Sequence, residues 1–96
     1  MLSFIICDDE KEFRDLIKGE IDKFMMNYDT EYKKYECENY EKKFETLARK
    51  EIGFKVYFFD IKTKNGSGLD AARFIREELD DWNSIIIIVT AFAEYR

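Results

Sequence analysis

Short apolar runs alternate along the chain with segments in which apolar residues return every third or fourth position. Runs of the first kind are Leu2-Ser3-Phe4-Ile5-Ile6-Cys7, Phe54-Lys55-Val56-Tyr57-Phe58-Phe59 and Ser84-Ile85-Ile86-Ile87-Ile88-Val89-Thr90. Their length and their β-branched and aromatic content predict strands, and the unbroken last run predicts a strand covered on both faces. Phe13, Leu16, Ile17, Ile21, Phe24, Met25 and Tyr28 recur at helical spacing, which predicts a helix over residues 10–27. A more polar stretch carrying Tyr35 and Cys37 predicts a half-exposed strand over residues 33–38. Phe44, Leu47 and Ala48 share one side of a short helix over residues 41–50, which Gly53 punctuates. Asn65-Gly66-Ser67-Gly68 reads as a turn, and Ser67 with Asp70 as a capping box opening a helix that carries Leu69, Ala72, Ile75 and Leu79. Strand and helix therefore alternate throughout, which predicts an α/β domain built on a mostly parallel sheet with helices on both sides. No repeat, low-complexity tract or linker divides residues 1–96.

Composition narrows the class. The chain has 96 residues, 46% hydrophobic and 17% aromatic, enough for one packed interior, and its 39% of charged residues favours a soluble domain. The longest apolar stretch, Ile85 to Val89, is too short to span a bilayer, and no leader precedes the first strand, so a cytoplasmic location and no membrane association are expected. A net charge of -5 gives this segment no electrostatic reason to bind nucleic acid directly; it suits cations or basic partners. Cys7 and Cys37 are too few for a disulfide framework, and each falls in a predicted strand, where a free thiol behaves as a small hydrophobe. With no histidine, His-based triads, His general bases and the usual His-containing zinc sites are excluded.

Chemistry concentrates at strand ends. Asp60 closes one apolar run, Asp8-Asp9-Glu10 follow another, and Thr90 ends a third. If those strands are parallel neighbours, Asp8, Asp9, Asp60 and Thr90 share the rim where open α/β sheets bind ligands. Three crowded carboxylates repel one another unless a cation neutralises them, and an all-oxygen site with few protein ligands suits Mg2+, which helps to bind phosphate. Asp60 could then act as a nucleophile forming an acyl phosphate, with the Thr90 hydroxyl hydrogen-bonding a phosphoryl oxygen. Each residue alone has a plainer reading. Asp9 with Glu12 is a reasonable helix N-cap pattern, Asp60 could form an Asx turn, and Thr90 could simply end a strand.

Together, Phe4-Ile5-Ile6-Cys7-Asp8-Asp9-Glu10, Tyr57-Phe58-Phe59-Asp60-Ile61, Gly68-Leu69-Asp70-Ala71-Ala72-Arg73-Phe74-Ile75-Arg76 and Ile86-Ile87-Ile88-Val89-Thr90-Ala91 resemble the receiver domain of two-component response regulators. Tyr57 to Ile61 and Val89 to Tyr95 look most like receivers joined to LytTR-type DNA-binding domains, which would imply a role in transcription regulation. The resemblance implies a flavodoxin-like, doubly wound parallel sheet of order 2-1-3-4-5. It implies Asp60 as phosphoacceptor, Asp8, Asp9, Asp60 and the backbone carbonyl of Lys62 as Mg2+ ligands, Thr90 as switch hydroxyl and Ala91 beside the phosphoryl site. No residue here matches the family's phosphate-pairing lysine, which belongs to a fifth strand; Lys62 and Lys64 read as solvated loop residues. The expected architecture is thus order 2-1-3-4, a receiver incomplete at its C-terminus and lacking the fifth strand and last helices.

The function so implied is acceptance of a phosphoryl group from a sensor histidine kinase, Mg2+-dependent and later lost to water, by a signalling module that is not otherwise an enzyme. The alternative is a receiver-like interaction or dimerisation module without phosphotransfer. An Asp-nucleophile phosphatase ranks below both, because Lys62 stands where such an enzyme is expected to carry a second acid. With the last strand lost, the apolar edge Ile85 to Val89 is expected to pair or swap with a second copy.

Overall fold

The computed structural model describes residues 1–63 and 66–89. Four long strands, β1 (Leu2–Cys7), β2 (Tyr32–Cys37), β3 (Phe54–Asp60) and β6 (Ile85–Val89), form one parallel sheet in the order β2-β1-β3-β6. This is the expected 2-1-3-4 arrangement of the long strands. Between them run α1 (Lys11–Met25), α2 (Lys42–Arg49) and α3 (Gly68–Arg73), the last continuing into a π-helical turn, Phe74–Glu78. A miniature antiparallel hairpin, β4 (Lys62–Thr63) and β5 (Gly66–Ser67), takes the place expected of a simple turn.

The sheet's two faces build two cores, because side chains along a strand alternate. Ile5, Cys7, Tyr57 and Phe59 point to one face and pack with Cys37, with Phe44, Leu47 and Ala48 of α2, with Ala71 of α3 and with Ile75 of the π-helical turn. Phe44 anchors this side, its ring meeting those of Tyr40, Tyr57, Phe59 and Phe74 at centroid separations of 5.5–6.3 Å. Phe4, Ile6 and Val56 point the other way, onto Ile21 and Met25 of α1. β1 is central in the sheet, so both of its faces are covered.

β6 departs from the sequence expectation. Ile86 and Ile88 pack against the α2 and α3 side, but Ile85 and Ile87 remain 46% and 39% exposed, so the strand is covered on one face only. The cause is helix placement. α1 packs over β1, and β6 lies two strand spacings away, about 10 Å, beyond the reach of α1's inner stripe. The outer residues of that stripe, including Leu16 and Phe24, stay exposed and line an apolar cavity of 610 Å3 with Phe54, Val56, Ile85 and Ile87.

At the start of α3 the Ser67 hydroxyl accepts the Leu69 amide at 3.1 Å. Only half of the expected capping box forms, because Asp70 turns outward and pairs with Arg73. The far end is tied to the sheet: Arg76 donates to the carbonyls of Asp81 and Ser84 at 2.9 Å, and the Asp81 carboxylate accepts the Asn83 and Ser84 amides and the Ser84 hydroxyl. Among the described residues no helix is long and apolar enough to cross a membrane.

Candidate functional site

Register brings the acidic residues together. Cys7 is level with both Cys37 and Phe59, and Asp60 is level with Val89, so β1, β2, β3 and β6 end at nearly one height. Asp8 and Asp9 follow β1, and Asp60 is the last residue of β3. One carboxylate oxygen from each of the three lies within 4.8 Å of the others. Asp8 is buried, Asp60 half-buried and Asp9 exposed, so the cluster grades from the interior to solvent. Thr90, Ala91 and Lys64 lie outside the described residues. Lys62 sits in β4 with its side chain exposed, as expected of a solvated lysine.

Asp8 is fixed at three points. Its amide donates to the Cys37 carbonyl at 3.0 Å, its carbonyl accepts from the Arg14 guanidinium at 2.8 Å, and its carboxylate accepts the Glu10 amide at 2.8 Å. That last contact corrects the plainer reading of Asp9: Glu10 occupies the N-cap of α1, without a side-chain cap, and Asp9 is left free to join the cluster. Arg14 is itself buried and braced by Glu36 at 2.8 Å, which also holds Lys18 at 2.6 Å. These two cations hold the Glu36 carboxyl below its usual range, Lys18 contributing most.

Asp60 is fixed through its backbone. The Tyr40 hydroxyl donates to the Asp60 carbonyl at 2.7 Å, and the Tyr40 ring packs edge-on against Phe59 and Phe44. Gly68 lies against the same carbonyl so closely that a Cβ there would collide with the Asp60 oxygen, and its amide donates to the Ile61 carbonyl at 3.0 Å. The Asp60 carboxylate faces the amides of Lys62 and Ile61.

Electrostatics give the cluster its chemical character. Burial pushes the Asp8 carboxyl above its ordinary value; the Glu10 amide opposes this, and repulsion from Asp60, Asp9 and Glu10 adds to it. Asp60 is likewise pushed up, first by burial and then by Asp9, against the pull of the Lys62 and Ile61 amides. Burial is the larger cause of both shifts and repulsion among the carboxylates the smaller, and a bound cation would offset that repulsion. Hard, all-oxygen donors of this kind fit Mg2+ better than a softer metal.

Sequence reasoning missed Arg14, Tyr40 and Gly68, which position the acids without joining them. Arg14 carried a readable signal: it falls in step with Ile17, Ile21 and Met25 on the buried side of α1, a charge inside an apolar stripe. Tyr40 and Gly68 carried none, since their roles depend on what α2 and α3 bring beside β3.

No protein-family profile and no curated protein matches the chain. Solved structures do. The response regulator TrrA of Thermotoga maritima, crystallised in complex with Mg2+-BeF, superposes with a TM-score of 0.74 at 28% identity, over 100% of this chain and 75% of its own. A mutant of the response regulator MaeR, bound to sulfate, superposes with a TM-score of 0.71 at 19% identity, over 96% of this chain and 69% of its own.

Proposed function

We propose that this chain, which has the fold of a response-regulator receiver domain, accepts a phosphoryl group on Asp60 from the phosphohistidine of a sensor histidine kinase and later loses it to water. The observation that carries the reading is the trio Asp8, Asp9 and Asp60, with oxygens within 4.8 Å of one another at the ends of two adjacent parallel strands. Likeness to TrrA, whose structure holds Mg2+-BeF, supports it.

In this reading Asp8, Asp9, Asp60 and the backbone carbonyl of Lys62 would hold Mg2+, which would offset the crowded negative charge and draw in phosphoryl oxygens. Asp60 supplies the nucleophile. One of its carboxylate oxygens forms a bond to phosphorus, the bond from phosphorus to the donor imidazole breaks, and the electron pair returns to nitrogen, leaving an acyl phosphate. Tyr40 and Gly68 fix the backbone from which that oxygen projects, and Arg14 fixes Asp8 beside it. Thr90 follows Val89, the register partner of Asp60, and is assigned the switch hydroxyl.

Incubation with acetyl phosphate and Mg2+, followed by intact-mass measurement, tests the proposal. One added phosphoryl group is expected on the wild-type chain and none on Asp60→Asn. Absence of the adduct together with absence of Mg2+ binding by calorimetry would select the interaction-module reading instead.

A further inference from the structure

Cys7 and Cys37 are direct register partners on adjacent parallel strands. Both face the α2 and α3 side, both belong to the same buried cluster, and each is 1% exposed. Strands pair at about 4.8 Å, inside the range of roughly 4.4–6.8 Å that Cα atoms span in a disulfide. A polar cavity of 330 Å3, whose lining includes Cys37 with Arg14, Glu36, Glu38, Asn39 and Lys43, adjoins the pair, so a small polar oxidant needs only local opening of this wall to meet a buried thiol.

We propose that Cys7 and Cys37 are a redox-sensitive pair that closes to a disulfide between β1 and β2 on exposure to a hydroperoxide. One sulfur attacks a peroxide oxygen and the O–O bond breaks, releasing water and leaving a sulfenic acid. The second sulfur displaces that hydroxyl as a second water. Two thiol hydrogens and two electrons pass to the peroxide, so the step balances with hydrogen peroxide as the sole co-reactant. A register pair is already aligned for the second displacement, whereas one buried thiol alone would stop at the sulfenic acid.

The bridge reaches the acid cluster through one peptide. Asp8 follows Cys7, and its amide donates to the Cys37 carbonyl at 3.0 Å. A disulfide most often holds its Cα atoms about 5.5–6 Å apart, wider than the spacing of paired strands, so closing it spreads the end of β1 from β2 and shifts Asp8 against Asp9 and Asp60. Oxidation therefore weakens Mg2+ binding; this limb alone rests on the function proposed above.

The experiment treats the whole chain with hydrogen peroxide and digests it without reduction. A loss of two hydrogen atoms in intact mass, reversed by dithiothreitol, and a peptide linking Cys7 to Cys37 are expected, and Cys37→Ala shows neither. Two thiols still alkylated by N-ethylmaleimide after peroxide and denaturation, or added oxygen without a linked peptide, would overturn the bridge; this readout holds even if the variant fails to fold. Calorimetry with Mg2+ on reduced and oxidised chain is expected to show several-fold weaker binding after oxidation. Equal affinity would overturn the coupling while upholding the bridge. No binding by the reduced chain would overturn the metal reading itself.

Discussion

Replacing Asp60 with asparagine should stabilise the protein when no divalent cation is present. Two unit charges 4.8 Å apart, the limit of the cluster, repel by about 0.9 kcal/mol in bulk water and by about 3.5 kcal/mol at an effective dielectric constant of 20. Asp60 is half-buried beside a buried Asp8 and an exposed Asp9, so relief lies between those limits, about 1–2 kcal/mol. The asparagine oxygen can still accept from the Lys62 or Ile61 amide, which keeps the loss of hydrogen bonding small. In a chelator, Asp60→Asn is expected to melt about 4–8 °C higher for each kcal/mol gained in a domain of this size. Excess Mg2+ should raise the wild type more than the variant, since a ligand at a hundred times its Kd adds about 2.7 kcal/mol.

The sign of the pH dependence follows from the same residues. Asp60 and Asp8 are shifted upward in the fold, so between the ordinary carboxylate value and the raised one the native state binds more protons than the unfolded state. Wild-type stability from these groups therefore falls as pH rises through that window. Lowering the pH into it protonates Asp60 and narrows the gap to the variant. Circular dichroism melts at matched ionic strength read all three effects. A variant that melts no higher than wild type in chelator, or a wild type that Mg2+ does not stabilise more, would refute the repulsion argument.

Two further substitutions test the supports of the site. Gly68→Ala forces a methyl group into the Asp60 carbonyl and within 3.1 Å of the Phe59 Cβ, so a loss of about 1–3 kcal/mol is expected in urea unfolding; an unchanged midpoint would refute the close approach. Glu36→Gln removes the charge that Lys18 and Arg14 share. Because Glu36 is shifted downward, its contribution is present above the ordinary carboxylate value and lost as pH falls through the depressed one. Wild type should exceed the variant by about 1 kcal/mol near neutral pH, after allowance for solvent screening, and the difference should close in acid. A difference constant with pH would show that packing, not charge, is responsible.

The four long strands and three helices were legible because each is written in local periodicity: β-branched and aromatic runs, a helical stripe, a serine before a helix. The positions of Asp8, Asp9 and Asp60 at strand ends were legible for the same reason. Their approach to within 4.8 Å was only implied, since it requires β1 and β3 to be parallel, adjacent and in one register, a choice made by side chains far apart in the chain. The same long-range choices escaped the sequence elsewhere. Ile85 and Ile87 look as buried as Ile86 and Ile88 until α1 is seen to lie over β1, out of reach of β6. Tyr40 is an unremarkable aromatic until α2 sets its hydroxyl on the Asp60 carbonyl. Which carboxylates end strands is fixed locally, because strand length and termini follow from neighbouring residues. That they crowd one another with Asp8 buried is fixed by the packing of distant elements, on which burial and mutual repulsion depend.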